Sequence, residues 1–173
     1  MRHTIVPEPC ESEEPLIEYA DEHDRPLLIA PPSEAFPLRR KAVGAVLCDR
    51  RGRAFVRRRT SERGVETWDI SAETYVRSGE AREEAVGRAV RETLGLSNVP
   101  FGEAVPAAFK PAGGNVSLTL FLAELPGLLP PDSLREGHFL DREELVGMAE
   151  TFPDLFSPVL LWAIGTGCLW KRR

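Results

Sequence analysis

The chain lacks a surplus of positive charge, a long hydrophobic run and a set of clustered cysteines, and each shortage excludes something. Lysine and arginine number 22 against 27 aspartates and glutamates, a formal net charge of −5. General affinity for nucleic acid usually shows as a basic surplus, so no nucleic-acid partner is expected. Small anionic ligands remain open, because arginines can still gather locally. The most apolar stretch, residues 155–170, is shorter than a membrane span and is interrupted by Pro158, Gly165 and Gly167. It is expected to form a buried C-terminal helix, with no membrane partner. Cys10, Cys48 and Cys168 lie far apart, are odd in number and make no CxxC pair. With no secretory signal at the N-terminus, reduced thiols in a cytoplasmic protein are the expectation. The three histidines, His3, His23 and His138, are dispersed and form no evident ligand set.

What is present suits one domain. A chain of 173 residues, 42% of them hydrophobic, can bury a real core without staples. Residues 1–15 are rich in proline and glutamate and read as a flexible arm, leaving 16–173 as the domain. Two short strands are expected around Leu16–Tyr19 and Leu27–Ile29, with Asp21–Arg25 as the turn. KAVGAVLCDRRGRAFVRRR reads as a hairpin turning at Gly52. WDIS starts another short extended piece at Trp68. In Glu83–Leu94, residues Ala85, Val86, Ala89, Val90 and Leu94 fall at helical spacing, and Gly95 is a natural stop. Leu118, Leu120 and Leu122 alternate with Thr119, Phe121 and Ala123, which marks a strand. Val105–Lys110 is its expected hairpin partner across Gly113-Gly114-Asn115. HFLDREEL places Asp141 as an N-cap three residues before Glu144. A last helix is expected over Pro158–Ile164. Strands, one central helix, more strands and terminal helices imply an α+β fold, an α/β/α sandwich with a mixed sheet between helices.

The centre of the chain carries a chemical pattern. TWDISAETYVRSGEAREEAVGRAVRETLGL holds Glu80, Arg88, Val90, Glu92, Gly95 and Leu96 at the spacing of E-x7-R-x-U-x-E-x-x-G-U, where U is aliphatic. In this it resembles the signature box of the Nudix hydrolases, laid on residues 74–96. Thr74 stands at the pattern's opening glycine, Ala89 at the glutamate after the arginine, and Thr93 at the second of the paired glutamates. The resemblance covers about residues 16–164 and implies the Nudix fold with an N-terminal strand pair.

The resemblance also implies hydrolysis of the diphosphate linkage of a nucleoside diphosphate derivative or related pyrophosphate, with Mg²⁺ or Mn²⁺. Magnesium takes hard oxygen ligands, and helix positions i, i+3 and i+4 present three of them on one face. Those positions are 89, 92 and 93, so only Glu92 remains as a carboxylate. It is the candidate metal ligand and catalytic residue, and the expectation is weak metal binding and slow chemistry. Three rescues are open. Glu73 could lean in from the loop before the box as a second metal ligand. Glu83 or Glu84 could face the site, and Glu136 could serve as a catalytic carboxylate from outside the box. Arg57 and Arg59 share a strand face and are the candidate phosphate contacts. Glu80 and Arg88 are expected to form an internal ion pair. A Nudix fold kept as a nucleotide- or metabolite-binding module without catalysis is the alternative function. An isopentenyl diphosphate isomerase-like enzyme is a lesser one, because the loop entering the box has no cysteine. A homodimer is a family-level expectation.

Overall fold

The computed structural model describes residues 14–60, 64–125 and 127–170. Most of the expected N-terminal arm lies outside these. Eight strands join in one mixed sheet. They are β1 (Ile17–Ala20), β2 (Pro26–Ala30), β3 (Arg39–Cys48), β4 (Ala54–Thr60), β5 (Glu66–Asp69), β6 (Ala72–Tyr75), β7 (Val116–Glu124) and β8 (Gly137–Leu140). The helices are α1 (Arg82–Leu94), α2 (Pro131–Arg135), α3 (Arg142–Thr151) and α4 (Pro158–Gly165). No helix among the described residues is long and apolar enough to cross a membrane.

β3 organises the sheet. It runs parallel to β7 from Arg40↔Val116 to Cys48↔Glu124, and antiparallel to β6 over Ala42–Ala45. Alternation along these strands divides the core into two layers. Val43, Ala45, Leu47, Phe121 and Ala123 pack with Ala85, Val86, Ala89 and Val90 of α1. Ala42, Val46, Leu118 and Leu120 pack with Leu145 of α3 and with Val159, Leu160 and Ala163 of α4. Helices therefore cover both faces, the sandwich expected from the order of elements. Gly44 sits in a tight place: a Cβ there would run against Ile70 Cδ1.

Local signals account for the helix ends. Gly95 stops α1 in the left-handed region at φ 68°. Asp141 caps α3, accepting from the Glu144 amide at 2.9 Å, while Glu144 accepts from the Asp141 amide at 2.8 Å. Ser157 caps α4. Two local expectations differ from the structure, and one short helix has no counterpart in them. Residues 72–75, read as loop, form β6, because they pair with the buried middle of β3. Residues 105–110 form no strand; Val105 and Phe109 hydrogen-bond to β7, but Pro106 has no amide to continue the ladder. The proline-rich stretch before β8 contains the short helix α2.

Candidate functional site

The box folds around Arg88. Its guanidinium meets Glu80 through Nε at 2.8 Å and Nη2 at 2.9 Å, reaches the Tyr75 carbonyl at 2.9 Å, and donates to the Thr74 hydroxyl at 3.1 Å. Glu80 also accepts from the Arg77 amide at 2.9 Å. Arg88 is 9% and Glu80 14% exposed at the side chain, so the pair sits largely out of water. The hydrogen bond from Arg88 holds Glu80 below the ordinary carboxylate value, and the bond to Glu80 raises Arg88. This is the expected tie between loop and helix. Thr74 fits without glycine's freedom because it lies in extended β6 rather than in a tight loop.

Of the three helix positions that carry the family's carboxylates, one points to water. Glu92 is 54% exposed; its carboxylate lies 3.5 Å from Arg88 Nη1 and 4.0 Å from Arg77 Nη2. Thr93 is half-buried. Ala89 is 1% exposed and belongs to the apolar layer that holds Phe55, Phe121 and Leu47. A carboxylate there would lose its water to hydrocarbon neighbours, which costs free energy unless a partner repays it. The alanine completes the core at a place where the family pattern puts charge.

The other candidates form a second polar group. Alternation on β6 sends Ala72 and Thr74 toward α1, and Glu73 away from it to Arg59. Arg59 also reaches Asp69 Oδ2 at 3.1 Å, while Asp69 Oδ1 accepts from the Ser157 hydroxyl at 2.6 Å. Burial, with the nearby Asp69 carboxylate, pushes the Glu73 carboxyl above its ordinary value, and Arg59 opposes the push. Arg57 Nη2 pairs with Glu136 at 2.8 Å, and Glu136 is 63% exposed. Buried Arg57 Nε has no hydrogen-bond partner among the described residues. Arg58, on the opposite side of β4, lies over the Trp68 ring at 5.8 Å.

The structure thus joins Arg57 with Glu136 and Arg59 with Glu73, while Glu92 pairs with Arg88 and Arg77 among the described residues. Glu84 is occupied at the start of α1, accepting from the Ala81 amide at 3.0 Å. Trp68 and Phe109 pack against the layer that holds α3 and α4, and Lys110 pairs with Asp24 at 3.0 Å. Asp69 and Arg77 were not singled out from the sequence. Asp69 is the cross-strand partner of Arg57, a pairing that only the folded sheet reveals. Among the described residues no three His, Cys, Asp or Glu side chains converge as a metal site. A Mg²⁺ ion needs about six oxygens, several supplied by waters and phosphates but anchored on one or two carboxylates. Glu92 offers one such carboxylate, and Arg88 and Arg77 stand beside it as competing cations.

An α/β/α sandwich with the Arg88-centred loop and helix defines a class, and comparison with known proteins identifies it. The NUDIX domain model matches residues 38–160, and the chain belongs to that family. An uncharacterized Nudix hydrolase of Pseudomonas aeruginosa is 28% identical over 150 residues, covering 82% of this chain and 88% of the relative. The crystal structure of DR0079 from Deinococcus radiodurans superposes with a TM-score of 0.69 at 20% identity, covering 87% of this chain and 97% of that one. A MutT protein from Methanosarcina mazei gives 0.51 at 19% identity, covering 77% and 96%. At these identities the structural likeness shows the fold.

Proposed function

We propose that this Nudix domain binds a diphosphate-containing small molecule of the nucleotide class and hydrolyses its diphosphate link weakly at most. The observation that carries the reading is Ala89, buried in the apolar core where the box would place a carboxylate. With it go Thr93, the outward turn of Glu73, and its capture by Arg59. Binding does not need those carboxylates. Arg57 and Arg59 stand on one strand face, and Arg57 keeps an unpartnered Nε. Its pair with the exposed Glu136 is of the kind that water already weakens. A phosphate offering paired oxygens to the guanidinium is a fair exchange for it. The chain then works as a holder or sensor of its ligand.

Thermal shift with nucleoside diphosphate derivatives in metal-free buffer tests binding. A ligand that binds the folded state alone raises stability by about 2.7 kcal/mol at a hundred times its Kd. Stabilisation that is lost in Arg57→Ala is expected; no shift across the panel would refute binding by this site.

A second reading is hydrolysis supported by Glu92 and Glu136 with Mg²⁺ or Mn²⁺. Family membership and the solvent-facing position of Glu92 favour it. It requires turnover that fails when Glu92 is replaced.

A further inference from the structure

We propose that Glu73 is an internal competitor for phosphate: with the site empty its carboxylate holds the Arg59 guanidinium, and a diphosphate ligand must displace it to engage both arginines. The inference rests on the reading of Arg57 and Arg59 as the phosphate contacts and adds what regulates them. The two arginines are not equally free. Arg57 pairs with Glu136, a carboxylate that stands mostly in water, where such a pair is weak. Arg59 Nη1 is held between two carboxylates, Glu73 and Asp69, the latter at 3.1 Å. These two are the shielded members of the group. Asp69 is 7% and Glu73 31% exposed at the side chain, against 58% for Arg59. Charges withdrawn from water attract each other more strongly than charges immersed in it.

The surroundings decide which group moves. Asp69 is fixed, since its Oδ1 accepts from the Ser157 hydroxyl at 2.6 Å and from the Ile70 amide at 2.8 Å. Glu73 lies on β6 opposite Gly44, and among the described residues Arg59 is the one donor to its carboxylate. Arg59, the most exposed of the three, is the side chain a ligand can draw away. Doing so leaves two neighbouring carboxylates without their shared cation, and that penalty is subtracted from the affinity of the ligand. Residues two apart on a strand lie about 7 Å from each other, so a ligand with two phosphate groups can engage both arginines.

Calorimetric titration with inorganic pyrophosphate in metal-free buffer tests the competition. Glu73→Gln keeps the shape and removes the charge, and it should bind pyrophosphate about tenfold more tightly than wild type. The gain should vanish when Glu73→Gln is combined with Arg59→Ala, because no guanidinium is then left to release. Glu73→Ala makes the same comparison if the glutamine variant folds poorly. Affinity equal to or weaker than wild type in a natively folded Glu73 variant overturns the proposal. So does a gain that persists without Arg59, which would be a general effect of the lost charge. Pyrophosphate affinity that ignores both Arg57→Ala and Arg59→Ala refutes the phosphate reading itself. Affinity that needs the arginines but not the release of Glu73 refutes the competition alone, and no binding by any variant overturns both.

Discussion

Single residues of the box separate into those that hold the fold and those that stand where the family pattern has its carboxylates. Arg88 donates four hydrogen bonds from a nearly buried position. Arg88→Ala would leave Glu80 buried without its partner, and urea unfolding should show a loss of about 3–5 kcal/mol, the range for breaking a buried pair. Glu92→Gln removes only an exposed partner, and the same measurement should move by less than about 1 kcal/mol. Ala89→Glu is the converse experiment. It puts a charge into the layer of Phe55 and Phe121, and the midpoint of unfolding should drop sharply. A native-like midpoint with new Mg²⁺ affinity would mean that this position opens to solvent. Glu73 adds a pH dependence. Its folded-state pKa is raised above the ordinary 4.5, so its carboxyl favours the fold most below that value and progressively less as pH rises through the folded pKa. Melting temperatures of Glu73→Gln relative to wild type should therefore climb with pH above about 4.5; a flat or falling difference would contradict the burial assigned to it. Glu80 and Arg88 were legible in the sequence because they lie eight residues apart in one motif. The Arg59, Asp69 and Glu73 group was not, because it depends on how three strands come together.

The elements were legible where a local signal was strong. α1 announced itself by spacing and by Gly95, and α3 by the Asp141–Glu144 box. The alternation around Leu120 gave β7. β6 was missed because four residues lying between Ser71 and the turn at Gly79 show no period of their own; their partner β3 makes them a strand. That fact moved Glu73 from a loop free to lean toward the helix into a strand that points it elsewhere. Residues 105–110 erred the other way: the turn at Gly113-Gly114-Asn115 suggested a hairpin partner, and Pro106 breaks the ladder. Packing between elements gives its own expectation at Gly44, where β3 meets Ile70 and Leu118 closely. Gly44→Val should destabilise by about 1–3 kcal/mol, the usual cost of overfilling a tight core, as read by urea unfolding. A neutral result would mean that Ile70 moves aside freely.

At the scale of the whole molecule, sequence and structure agree on the fold, and packing adds a reason for the depleted box. The fold needs apolar layers, a loop tied to a helix and a few caps, and all of these survive. Metal-dependent hydrolysis needs several oxygens in one place, and the core has taken one of those places for Ala89. A family pattern can show that a carboxylate is missing; only packing shows that its place has been filled. Binding through Arg57 and Arg59 asks less and is compatible with the same core. The most direct test is turnover of a panel of nucleoside diphosphate derivatives with Mg²⁺ or Mn²⁺, comparing wild type with Glu92→Gln. The expected result is little or no turnover, with rates differing by less than about tenfold, which is about 1.4 kcal/mol of transition-state stabilisation. Robust metal-dependent turnover that collapses in Glu92→Gln would contradict it.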